Sequence, residues 1–231
     1  MWPFYLQEQV MTTNAFAGLG SRITIEQRTP LIAPPTKTIT AITKANPAVI
    51  TSNAHGLRDG MIITIAGVIG MNDINGIYYA AGVTANTFSL ITFEGVTVNS
   101  TAYTTYTNGG NVIPKAYLAA PEIRTLNFAD AQSPEIDVTT LLSTSKEYLL
   151  GLQDAGEFSF EMNYVPFDAA TVEMRLAKAD AQVRSVIIDF QDGSTFAFRG
   201  FVKAVPFQTD YQTAVSGSAT LKITGVPIWL P

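Results

Sequence analysis

Along Glu157–Tyr164 the side chains alternate without a break. Glu157, Ser159, Glu161 and Asn163 fall on one side, and Phe158, Phe160, Met162 and Tyr164 on the other. A period of two predicts a half-buried strand with its apolar face inward. Pro166 stops the ladder because it has no N–H to donate. Beyond it, Ala169, Val172, Leu176, Ala179 and Val183 recur at helical spacing and predict one helix over about 168–182, packed by that face. Asp168 stands where a cap is needed, with Phe167 and Val172 placed to staple across it. Period-two patterns predict further strands at Arg22–Gln27, with Ile23 and Ile25 on one face, at Glu122–Phe128, and at Ser218–Thr224, with Ala219, Leu221 and Ile223 inward. Arg184–Phe190 and Ser194–Phe201 flank Asp192-Gly193, a pair suited to the positive φ of a tight hairpin turn. Ala129–Ala155 is a long connection, of a length that a compact domain uses for function or pairing.

The texture changes in the middle of the chain. Three prolines in TPLIAPPTK (29–37) set a stiff, extended link. After it, Ile, Val and Thr dominate, broken by turn signals at Asn46-Pro47, His55-Gly56, Asp59-Gly60, Asn75-Gly76 and Asn86-Thr87. Short strands at that spacing predict a small closed barrel or sandwich. An insertion of this size costs little if its ends lie close, because loop-closure entropy grows only with the logarithm of length. Charge divides at the same boundary: residues 36–117 carry a net +1 and the remainder a net −6. The fold class is mainly β: a β-sandwich or barrel over 1–35 and 118–231 with one packing helix, plus an inserted small β module over 36–117.

The stretch GLQDAGEFSFEMNYVPFDAATVEMRLA (151–177) resembles tail tube proteins, the major tail proteins of long, non-contractile-tailed bacteriophages. The flanking EIDVTTLLSTSKEY (135–148), DGSTFAFRGFV (192–202) and SGSATLKITGVP (216–227) resemble the same family, as does MTTNAFAGLGSRITIE (11–26). The resemblance implies a structural virion protein with no enzymatic activity and no cofactor. It would polymerise with itself as stacked hexameric rings, a conduit for DNA that is in transit and not tightly bound. It implies tape-measure, terminator and distal tail proteins as further partners, and it makes the 129–155 connection an inter-subunit loop. The middle segment resembles the small β module of the first catalytic-cysteine half-domain of ubiquitin-activating enzymes. Asn46-Pro47, His55-Gly56-Leu57, Asp59-Gly60-Met61, Gly70-Met71, Ile74-Asn75-Gly76 and Asn86-Thr87-Phe88 carry that resemblance. With no cysteine in the chain, it implies a scaffold and none of that chemistry.

Charged residues make up 14% of the chain, against about 25% in an ordinary globular protein. So bland a surface is expected to be covered in an assembly, the alternative being a simple Thr/Ser-rich β protein. Candidate inter-subunit contacts are Trp2, Phe4, Tyr5 and Leu6 of an aromatic N-terminal arm (1–10), and Ile136, Val138, Leu141, Leu142, Tyr148 and Leu149 of the long connection. The arm folding back on its own domain is the other reading. Glu157, Ser159, Glu161 and Asn163 are the candidate lumen-facing residues, on a face that is either lumen or outer surface. Six copies of each carboxylate at one level would make a negative collar that repels the DNA backbone. The absence of an apolar membrane span or a secretory signal makes the host cytoplasm the expected place of assembly, and the virion tail the destination.

Catalytic chemistry finds little to build on. His55 is the only histidine and sits in a turn, so a structural role is expected. The carboxylate pairs Glu157/Glu161 and Asp189/Asp192 fall on open strand or turn positions. Gly18-Leu19-Gly20 lacks the rest of a phosphate loop, and no basic patch interleaved with aromatics suggests tight nucleic-acid binding. Two further readings stay open: another tube, ring or tail-tip adaptor protein, and a carbohydrate-binding β protein with Tyr78, Tyr79, Tyr103 and Tyr106 as the sugar platform.

Overall fold

The structure is a computed structural model that describes residues 20–30, 32–130, 133–210 and 214–231. The candidate contacts Trp2, Phe4, Tyr5 and Leu6 lie outside the described residues. Strand β1 (Arg22–Gln27) leads to seven strands of a separate antiparallel sheet: β2 (Lys37–Thr38), β3 (Ala41–Ile42), β4 (Val49–Thr51), β5 (Ile62–Ile69), β6 (Gly76–Ala81), β7 (Thr87–Ile91) and β8 (Asn108–Pro114). Their order is β2-β8-β5-β6-β7-β4-β3. Ile39, next to one edge strand, and Ile42, in the other, share a single buried cluster, so the sheet curls around its core.

The chain then returns through β9 (Ala116–Ala119) and β10 (Ile123–Ala129), and forms a two-stranded ribbon from β11 (Glu135–Asp137) and β12 (Tyr148–Leu150). Strand β13 (Glu157–Asn163), helix α1 (Ala169–Asp180), β14 (Arg184–Asp189), β15 (Thr195–Ala204), β16 (Phe207–Gln208) and β17 (Ser216–Leu230) complete it. The large sheet runs β10-β13-β17-β15-β14-β1-β9, with β16 on the side of β17. Ile23 and Ile25 of β1 share one core with Phe158, Phe160 and Met162 of β13, although three strands stand between them. The large sheet therefore wraps around that core. Its bend falls within the two longest strands. Gly225, at φ 77°, opens a bulge there, and β17 spends three residues between Thr224 and Ile228 where β15 spends one between Arg199 and Ala197.

Two expectations about the helix meet different fates. Asp168 caps it, its Oδ1 accepting from the N–H groups of Ala170 at 2.9 Å and Thr171 at 3.3 Å. The packing face, however, is not the expected one. Ala170, Thr171, Glu173, Met174 and Ala177 are buried, while Leu176 is 55% exposed. Phe167 is 92% exposed and staples nothing. The helix is turned by one residue, about 100°, and the reason is ionic. Arg184 of β14 is fully buried and donates to Glu173 Oε1 at 2.9 Å and Asp180 Oδ2 at 2.7 Å. An unpaired buried guanidinium is very costly, so Glu173 turns inward and the aliphatic stripe turns out.

The two sheets share a third apolar cluster. Ile62, Tyr79 and Ile91 of the small sheet pack on Ile187, Ala197, Ile228 and Leu230 of the large one. Gly60 marks the closest approach: at φ 78°, a Cβ there would lie 2.8 Å from the Ala197 methyl. Arg58 pairs with Asp189 at 2.9 Å, and the Ile62 N–H donates to the Tyr117 hydroxyl at 3.0 Å. Arg199 lies 4.3 Å over the Phe93 ring. The small sheet is thus seated on the large one, not suspended from it by a linker.

Candidate assembly surfaces

The first surface is the bare outer face of β10, β13 and the first half of β17. Alternation buries Phe158, Phe160 and Met162 and turns Glu157, Ser159, Glu161 and Asn163 the other way. Register places Asn127 and Thr220 beside Ser159, Thr125 and Ser218 beside Glu161, and Ser216 beside Asn163. The result is a carpet of short hydroxyl and amide side chains. Four carboxylates there, Glu157, Glu161, Asp154 and Glu122, stand against three cations, Lys203, Lys222 and Arg124, so the face keeps a net negative charge that is smaller than its acidic residues alone suggest. Glu157 is paired with Lys203, and Asp154 with Lys222, which stands opposite Glu157 in the ladder. The bond from Lys203 holds the Glu157 carboxyl below its ordinary range, and Lys222 does the same for Asp154. Asn163 Nδ2 donates to Glu122 Oε2 at 2.8 Å, and Arg124 lines the same shallow depression as Glu161. The small sheet covers this same outer face farther along, beyond the bend. It therefore lies on the opposite side of the core from the bare carpet.

The second surface is the β11–β12 ribbon. The Val138 N–H donates to the Glu147 carbonyl at 2.9 Å, and the Gly151 N–H to the Pro134 carbonyl at 2.7 Å. Thr139 Oγ1 accepts from the Glu147 N–H at 3.0 Å. Ile136, Val138, Leu141, Leu142, Tyr148 and Leu149 are all exposed, Leu141 and Leu142 at the tip completely so. Leu150 and Leu152, passed over in the sequence, are exposed alongside them. Their signal was present as a run of four apolar side chains interrupted only by Gly151.

A third surface was missed altogether. Ala169, Val172, Leu176 and Ala179 line a groove of about 750 Å³ against Gln27, Arg28 and Thr29.

The remaining candidates are structural. His55 Nδ1 accepts from the Leu57 N–H at 3.1 Å, its ring meets Phe88 edge-on at 5.2 Å, and burial lowers its pKa. Asp189 is paired with Arg58, and Asp192 Oδ1 accepts from the N–H and hydroxyl of Ser194. Tyr79 is buried between the sheets, and Tyr78, Tyr103 and Tyr106 pack against the small-sheet core, so they form no open sugar platform. Among the described residues no group of three His, Cys, Asp or Glu side chains could hold a metal ion, and no helix is long and apolar enough to cross a membrane.

A family profile described as lambda phage tail tube protein, TTP, matches residues 98–230, more than half of the chain. No curated protein is similar enough to count as a relative. One solved structure, described as the tail of an empty GTA particle computed with helical refinement and C6 symmetry, shares 14% identity at a TM-score of 0.42. The similarity covers 50% of this chain and 87% of that one.

Proposed function

Because this chain belongs to the lambda phage tail tube protein family and is a structural subunit of the virion tail, we propose that it polymerises as stacked hexameric rings whose channel conducts the phage genome. The observation that carries this reading is the carpet of short polar side chains around Ser159, its lysines paired with carboxylates, with Glu157, Glu161 and Asn163 in the lumen. Cationic contacts to phosphate are what hold DNA on a protein. A wall of hydroxyl and amide groups, with each lysine matched to a carboxylate, offers a passing duplex little to grip. Among the described residues, strands β9 and β10 end the large sheet with unpaired edges, and ring closure would cover them.

Ile136, Val138, Leu141, Leu142, Tyr148 and Leu149 then serve contacts between subunits, with Trp2, Phe4, Tyr5 and Leu6 as a further arm. In this arrangement residues 1–35 and 118–231 build the tube. Residues 36–117 form an inserted module, like that of ubiquitin-activating enzymes, on the outer wall. Assembly takes place in the host cytoplasm with tape-measure, terminator and distal tail proteins as partners.

The reading is tested by Glu157→Lys with Glu161→Lys. Neither side chain enters the core, so tubes should still form. They should retain added duplex DNA in low salt and release it steeply as salt rises. Tubes that bind no more DNA than the unmodified ones would show that this face points away from the channel.

A further inference from the structure

The unexpected rotation of α1 leaves an apolar stripe with no packing partner among the described residues. Val172 is half-buried, Leu176 is 55% exposed, and Phe167 beside the first turn is 92% exposed. Val172 and Leu176, together with the end of β1, border the 750 Å³ groove. Elsewhere on the chain the ribbon ends in Leu141 and Leu142, at 106% and 94% exposure, among the barest large apolar side chains of the described residues. The backbone bonds behind them hold the tip ready, so little conformational entropy would be lost on docking.

We propose that the groove of one copy receives the Leu141–Leu142 tip of a second copy, an inference that rests on the tube reading above. Charge favours the match. Residues 133–152 carry three carboxylates against one lysine, a net of −2. The two carboxylates that line the groove are already engaged, Glu173 and Asp180 both bonding Arg184. That leaves Arg175 and Lys178 as the outward charges of the helix. Symmetry favours it too. A knob and a hole at different places on one chain make a heterologous contact, and such a contact repeats from copy to copy, as a closed ring or as an open stack. A self-matching patch would stop at a dimer.

The chain contains no cysteine, so a disulfide trap reads without background. Leu142→Cys combined with Leu176→Cys, grown into tubes and mildly oxidised, should give a ladder of covalent multimers on a non-reducing gel. Each single variant can give no more than dimers. Tubes that yield only monomer, or a disulfide closed within one chain, overturn the docking. So does a ladder that forms instead from Trp2→Cys with Leu176→Cys, which would seat the N-terminal arm in the groove. If the cysteine pair itself prevents tubes, Leu142→Asp and Leu176→Lys decide. Each alone should abolish tube growth while the subunit stays folded, and the two together should restore part of it. Normal tubes from either single variant, or no recovery in the pair, overturn the proposal. Failure of the unmodified chain to form tubes would instead strike at the tube reading itself.

Discussion

Arg184 is the residue on which the orientation of the helix turns. Its guanidinium has 2% of its side chain exposed, bonded to Glu173 and Asp180, and Asp180 in turn reaches Arg28 at 3.0 Å. Glu173→Ala should cost about 1.5–3 kcal/mol, because it takes a charged hydrogen-bond partner from a buried guanidinium and leaves it Asp180 alone. Arg28→Ala, at the wet end of the same chain of bonds, should cost under about 1 kcal/mol. Urea unfolding of the isolated subunit measures both, and equal losses would contradict this ranking. The network also carries a pH signature. The Arg184 bond, with help from Arg28, holds Asp180 at about 2, below its ordinary 3.8. A depressed carboxylate adds stability that is fully present above its unfolded pKa and is lost as pH falls through the folded one. The unfolding midpoint should therefore drop between about pH 4 and pH 2, and Asp180→Asn should flatten that part of the profile. An unchanged slope in the variant would mean that other carboxylates drive the acid transition.

At the scale of elements, what could be read from the sequence depended on how many faces each element buries. β13 buries one face and alternates cleanly, so Phe158, Phe160 and Met162 were legible as core, and the opposite face as a candidate surface. The Asp192-Gly193 hairpin was legible from turn chemistry, and the helix from Asp168, whose loss in Asp168→Ala should cost about 1 kcal/mol in the same unfolding assay. The face of the helix was not legible. Apolar periodicity ignores a buried Glu173 whose partner, Arg184, lies on another element. The second half of β17 was missed because Gly225 and Pro227 look like a strand end, whereas they form the bulge that lets the strand turn the corner. The seating of the small sheet was missed for another reason. Met61–Ile63, Tyr78–Ala81 and Val186–Ile188 are apolar on both faces, and such unbroken runs signal burial on two sides. That pattern was visible but has no partner written into it.

For the whole molecule, the shared cluster has a direct consequence. Replacing residues 36–115 with a short Gly/Ser linker, which keeps β9 whole, uncovers Ile187, Ala197, Ile228 and Leu230 together. The shortened chain should aggregate on expression, and polar substitutions at Ile187 and Ile228 should recover soluble protein. A well-behaved deletion without those substitutions would show that the seat contributes little. The central claim is that this subunit builds a tube with the Ser159 face lining the channel and the small sheet on the outside. Helical reconstruction by electron cryomicroscopy of tubes grown from the full chain tests it most directly. The account predicts rings of six, the side chains of Ser159 and Glu161 on the inner wall, and residues 36–117 as outer knobs. A chain that stays monomeric, or a tube with Glu161 on its outer wall, would contradict it.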